Sequence, residues 1–122
     1  MADNKAYITQ VQENGSVMIS EHVIATIVDH AINEVDGIVG LSTKPGSDIA
    51  EMIGKKSWGK GLRITINEND EVYIDCNVVV AYGQSVVTVA NSLQVAVTNA
   101  VESMTGIKVA SVNVNVCGIA QQ

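Results

Sequence analysis

Alternating apolar and polar residues predict the strands of this chain. Two such runs, at residues 7–11 and 16–19, flank Glu13-Asn14-Gly15 and predict a β-hairpin. A second hairpin is predicted from runs at 62–66 and 72–82. Two further strands are expected at 38–42 and 112–117. The inward-facing positions of the later strands are predicted to be Leu62, Ile64, Ile66, Val72, Ile74, Cys76, Val78, Val80, Val112, Val114 and Val116.

A period of three to four residues predicts two helices. Ser20 is placed to cap the first helix, which we expect to end at Gly37. The second helix is predicted to begin near Ser85 and to end at Gly106. Its buried positions are predicted to be Val86, Ala90, Leu93, Val97, Ala100 and Met104. The buried positions of the first helix are predicted to be Val23, Ile27, Ala31 and Val35, with Ile24, Val28 and Ile32 beside them.

The order of these elements predicts the fold class. Two β-β-α-β units separated by a loop indicate an α+β protein, a two-layer sandwich. We expect a mixed sheet of about five to six strands with the two main helices on one face. The 122 residues fit a single domain over 7–119, with a flexible N-terminus at 1–6 and a tail at 120–122. Residues 43–60 are expected to form an irregular basic loop.

Composition narrows the range of functions. The net charge of −6 opposes a phosphate-binding surface, and the aromatic content of 3% implies an aliphatic core. The N-terminus has neither the basic nor the apolar region of a signal peptide, and the two cysteines fit a reducing compartment. Cys76 and Cys117 are expected to be free thiols, Cys76 in the core.

Catalytic and metal-binding motifs are not apparent. His22 and His30 lie eight residues apart on the first helix, too far for the usual i, i+4 metal pair. Gly37 and Gly40 have the spacing of a nucleic-acid-binding loop, but a helix stop followed by a strand entry explains both. We therefore expect no cofactor, no metal, no small-molecule substrate and no enzymatic activity.

Most of the positive charge is concentrated in one stretch. Two interpretations of this stretch stay open: a solvated connector, or a docking segment for an acidic partner or anionic surface. The candidate partner-binding residues are Lys44, Lys55, Lys56, Trp58, Lys60 and Arg63.

The last third of the chain is nearly free of charge. Cys76 to Val101 is 26 residues without a charged side chain, yet it contains too many polar groups for a membrane span. A solvent-facing helix normally carries more Lys and Glu. We therefore predict self-association, either by pairing of a sheet edge or through one face of the second helix. The candidate residues on that face are Val87, Asn91, Val95 and Thr98.

Several segments together resemble the alkaline-shock, or envelope-stress-response, proteins of Gram-positive bacteria. They occur in order over residues 7–119, and one departure is Asn115, where relatives often carry His. The matching segments are 15–20 and 34–40, which open and close the first helix, 50–56 with 59–61, 78–83, 104–107 and 112–116 with Gly118.

The resemblance implies a function but no catalytic residues. It implies a non-enzymatic cytoplasmic scaffold or binding protein in the envelope stress response or homeostasis. Such a protein self-associates and docks to a membrane-anchored or enzyme partner, so that it lies at the inner membrane face without spanning it. The alternative is a nucleic-acid-binding or regulatory module using the Gly37–Gly40 turn and the lysines.

Overall fold

The computed structural model describes residues 7–42 and 61–121. These residues follow the predicted β-β-α-β, β-β-α-β order. In chain order the elements are β1 (Tyr7–Gln12), β2 (Gly15–Ser20), α1 (Glu21–Asn33), β3 (Ile38–Leu41), β4 (Leu62–Ile66), β5 (Val72–Ala81), α2 (Val86–Thr105) and β6 (Val109–Ala120).

Strand β5 is the centre of a four-stranded mixed sheet. Strand β6 runs parallel to it along its whole length. Strands β3 and β4 both pair antiparallel with β5, β3 with its C-terminal part and β4 with its N-terminal part. Because β6 occupies one complete side of β5, β3 and β4 share the other side, one after the other. Strand β6 is therefore an edge strand among the described residues.

The first two strands form a separate two-stranded antiparallel sheet. Gln12 pairs with Gly15, which leaves a two-residue turn at Glu13 and Asn14. A lone hairpin is only marginally stable in water, so this one depends on contacts with the rest of the domain. The buried side chain of Ile8 and a 3.0 Å hydrogen bond from Nε2 of Gln10 to the carbonyl oxygen of Thr105 supply two of them.

Both helices pack on one face of the four-stranded sheet, which confirms the α+β sandwich. The six strands are divided between sheets of four and two strands, whereas a single mixed sheet of about five to six strands was predicted. Their N-terminal caps are the predicted ones: Ser20 Oγ accepts from the amide of Val23, and Ser85 Oγ from that of Thr88. Gly106 ends α2 in the left-handed conformation, as expected. All five inward positions predicted for β5 are fully buried: Val72, Ile74, Cys76, Val78 and Val80.

Three predicted core positions are wrong. Val23, Met104 and Val116 are exposed, whereas Val89 and Val101, which the pattern had not selected, are buried. Both helices have apolar residues on two adjacent stripes, so periodicity alone does not choose between the stripes. Val116 lies opposite the fully buried Val78 but stays open to solvent because β6 is at the sheet edge.

Element ends also differ slightly from expectation. Helix α1 ends at Asn33 with Glu34 as its C-cap, and Gly37 follows in the loop with φ +93°. Strand β6 continues to Ala120, three residues beyond the predicted end.

Candidate functional site

Most of the predicted partner-binding residues lie outside the described part of the chain. These are Lys44, Lys55, Lys56, Trp58 and Lys60. Arg63 is described and lies on β4, where its guanidinium is 3.3 Å from the carboxylate of Asp75. The charge of Arg63 is therefore partly neutralised within the domain. Its contribution to docking remains a prediction.

The two ends of the basic stretch are fixed at one point of the sheet. The amide of Ser42 donates to the carbonyl oxygen of Asn77 at 2.8 Å, and the amide of Asn77 donates to the carbonyl oxygen of Gly61 at the same distance. A Cβ on Gly61 would lie 2.2 Å from the carbonyl oxygen of Ser42, and its φ is +77°. Only glycine fits this close approach. Residues 43–60 thus connect two neighbouring positions on the sheet.

A row of polar side chains crosses the sheet face opposite the helices. Asp75 accepts from Arg63 on one side and, at 2.9 Å, from the amide of Asn113 on the other. Asn115 donates to Asn77 at 3.1 Å. Asn113 and Asn115 therefore tie the edge strand β6 to β5 by side-chain as well as backbone hydrogen bonds.

The proposed self-association face of α2 is largely solvent-exposed. Val87 and Val95 are 69% and 61% exposed, Asn91 is exposed, and Thr98 is half-buried. Two β-branched apolar residues in water on one helix are consistent with a contact surface. Between α1 and α2 lies a groove of about 590 Å³ whose lining includes Ile27, His30, Ala96, Ala100 and Met104.

Side chains of α2 reach over the free edge of β6. Nε2 of Gln94 donates to the carbonyl oxygen of Val112 at 2.9 Å, and the carboxylate of Glu102 accepts from the amide of Val109 at 3.2 Å. The sequence pattern had not singled out Gln94, because a polar helix residue usually indicates only a solvated face. Both bonds lie in the N-terminal half of β6.

The two thiols occupy different environments. Cys76 is fully buried, and burial, with a smaller effect of the Asp75 charge, raises its pKa to about 12. Cys117 is exposed on β6, and partial desolvation raises the pKa of its thiol. Cys76 therefore has the core role that the sequence predicted, and Cys117 is the accessible thiol.

The remaining sequence candidates are dispersed in the structure. His22 and His30 are exposed on α1, and no group of three or more metal-ligating side chains occurs within residues 7–42 and 61–121. Gly40 lies within β3. Gly37 immediately precedes β3 and packs against Val89. Neither of the two described helices combines the length and the hydropathy that a membrane crossing requires.

Known proteins resemble this chain over most of its length. YqhY and YloU of Bacillus subtilis, both uncharacterized, are each 31% identical to it, over 86% of this chain and 77% and 88% of their own. A Streptococcus pyogenes protein named as a stress response regulator gls24 homolog is 27% identical, and the match spans 59% of that protein. A solved MamM CTD structure shares 18% identity with this chain, and the match covers 84% of this chain and 96% of that one with a TM-score of 0.48.

A family model also matches almost the whole sequence. The match covers residues 9–121, so it includes both helices and the complete four-stranded sheet. It agrees with the segments that carry the resemblance in the sequence. The chain belongs to the alkaline shock protein 23 family, which is described as having a cell envelope-related function.

Proposed function

We propose that this chain is a non-enzymatic scaffold of the cell-envelope stress response that self-associates and docks to a membrane-anchored or enzyme partner. The family and the relative named as a stress response regulator support the envelope and stress setting. The scaffold role is carried by one observation, the lack of charge on the exposed surfaces of α2 and β6.

Charge is unevenly distributed over this acidic protein. From Cys76 to Gln122 the only charged residues are Glu102 and Lys108, in a chain with 13 acidic and 7 basic residues. Glu102 is partly buried and bonded to the amide of Val109. A surface without charge allows two copies of a protein of net charge −6 to approach without strong repulsion.

Docking to a second protein is assigned to the basic stretch. Its charge is opposite to that of the rest of the molecule, which favours orientation toward an acidic partner. The hydrogen bonds of Ser42 and Gly61 to Asn77 fix both of its ends to the sheet. We expect the lysines between these two ends to bind the partner rather than to support the fold.

Photo-cross-linking in living cells tests this proposal. A photoreactive residue at Val95 should give an adduct whose peptides derive from this chain alone, whereas the same residue at Glu68, in the exposed β4–β5 turn, should give none. A photoreactive residue at Lys56 should give an adduct with a protein that is membrane-anchored or an enzyme. The scaffold proposal fails if the probe at Val95 gives no adduct between copies of this chain and the probe at Lys56 gives no adduct with a membrane-anchored protein or an enzyme.

A further inference from the structure

The N-terminal half of the free edge of β6 is hydrogen-bonded to α2, and its C-terminal half is not. Within a strand the N–H and C=O of one residue point to the same side, and the side alternates from residue to residue. The carbonyl of Val112 is bonded to Gln94 rather than to β5, so it points to the free edge. Val114 and Val116, in the same phase, then also direct their backbone groups outward.

The other end of the strand supports this assignment. The amide of Tyr82, just beyond β5, donates to the carbonyl oxygen of Ala120 at 2.8 Å, so Ala120 points toward β5. The register shifts by one residue between the pairs Val78–Val116 and Val79–Gly118, which reverses the phase. Gly118 has the same phase as Ala120 and therefore also points toward β5. Because the shift reverses the phase between Gly118 and Val116, the backbone groups of Val116 and Val114 point to the free edge. Within the described residues, neither has a hydrogen-bond partner there.

We propose that a second copy of this chain pairs with β6 in antiparallel orientation about a two-fold axis at Asn115. This inference rests on the proposed self-association and specifies its surface. An axis at Asn115 places Val114 opposite the partner's Val116, and Val116 opposite the partner's Val114. The N–H and C=O groups of Val114 and Val116 in both copies then form four hydrogen bonds between the strands. The bulge after Val116 ends the pairing.

The composition of β6 favours the same chain as its partner. All 12 residues of the strand are uncharged, and it contains no proline. Natural edge strands usually avoid pairing by means of lysine, proline or short length, and β6 has none of these. Val116 and Ile119 leave apolar surface exposed beside the open backbone groups, since these residues are 37% and 56% exposed.

The same axis brings the proposed face of α2 into the contact. Helix α2 packs on β6, and Gln94 and Glu102 are the residues that reach its free edge. Successive residues of a helix are rotated by about 100° around its axis. Viewed along the axis of α2, the side chains that lie within about 100° of Gln94, in the direction of Glu102, include Val87, Asn91, Val95 and Thr98. Pairing of the two β6 strands therefore places α2 beside the α2 helix of the second copy, with both helices on the same face of one continuous sheet.

Disulfide trapping tests the register. In an antiparallel pair, non-hydrogen-bonded neighbours have Cα atoms about 4.5 Å apart, a separation that a disulfide spans. We expect N115C in a C117S background to form a disulfide-linked dimer on treatment with diamide. The matched variant N113C/C117S should give little dimer, because position 113 lies two residues from the two-fold axis and its two copies are too far apart for a disulfide. Cys76 stays silent because it is buried.

Association measurements separate this inference from the proposed function. Asn115→Lys places like charges opposite each other across the axis and should weaken association at least about tenfold, whereas the neutral Asn115→Thr should not. Circular dichroism checks that each variant is folded. An associating parent with no Asn115 cross-link and no effect of Asn115→Lys overturns β6 pairing and leaves self-association standing. A parent that is monomeric at every concentration overturns both.

Discussion

Gly37 lies directly against Val89, where the end of α1 meets the start of α2. A Cβ added to Gly37 would be 2.7 Å from Cγ2 of Val89, and the backbone there has φ +93°. An L-residue in that conformation costs about 1–2 kcal/mol, and the steric clash adds to it. We expect Gly37→Ala to lower the free energy of unfolding by at least about 2 kcal/mol in urea titrations.

A double-mutant cycle separates the two causes. Val89→Ala removes the methyl group that clashes but does not change the backbone conformation at Gly37. In the Val89→Ala background, Gly37→Ala should therefore cost about 1 kcal/mol less than in the parent. Simple additivity of the two substitutions would show that the packing of Gly37 on Val89 is not as described.

The two-layer core is tested on α2 by the same substitution at two neighbouring valines. Val97 is fully buried, whereas Val95 is 61% exposed. Val97→Asp buries an unpaired charge and should unfold the domain or cost more than about 4 kcal/mol. Val95→Asp should change the free energy of unfolding by less than about 1 kcal/mol. Thermal denaturation of both variants decides, and equal stabilities would contradict the assigned helix face.

Cys76 should make the stability of the domain fall at high pH. Its pKa rises from 9.0 to about 12 on folding, so above pH 9 the unfolded chain loses this proton while the folded chain keeps it. The free energy of unfolding should thus decrease by about 1.4 kcal/mol per pH unit between 9 and 12 from this group alone. Tyrosines and lysines also titrate there, but Cys76→Ala retains them. The Cys76→Ala curve should therefore be flatter than the parent's, and a parallel curve would contradict the assignment.

The basic stretch should affect docking without affecting the fold. Replacing Lys55, Lys56 and Lys60 together by Ser should leave the circular dichroism spectrum unchanged. It should reduce co-sedimentation with a membrane fraction, more strongly at low ionic strength. The matched variant with Arg at the same three positions keeps the charge and should bind like the parent. Equal binding by the Ser variant would mean that these lysines form only a solvated connector.

The element order and the β5 core could be predicted because they depend on local patterns. Alternation identified the strands, and Ser20, Ser85 and Gly106 marked helix ends through bonds within a few residues. The sequence pattern could not identify which stripe of α2 is buried, because the positions beside that stripe are also apolar. The open edge of β6 depends on strand order and on Gln94 reaching Val112 across the fold, which no local pattern contains.

Self-association through uncharged surfaces is the central claim, and mass measured by light scattering across a dilution series tests it most directly. We expect the parent to show at least twice the 12.9 kDa of one chain when concentrated and to approach that value on dilution. Val95→Lys keeps the helix, because Lys has the better helix propensity, and should shift the curve toward monomer. The claim is contradicted if the parent has the mass of one chain at every concentration, and the α2 face is excluded if Val95→Lys assembles as well as the parent.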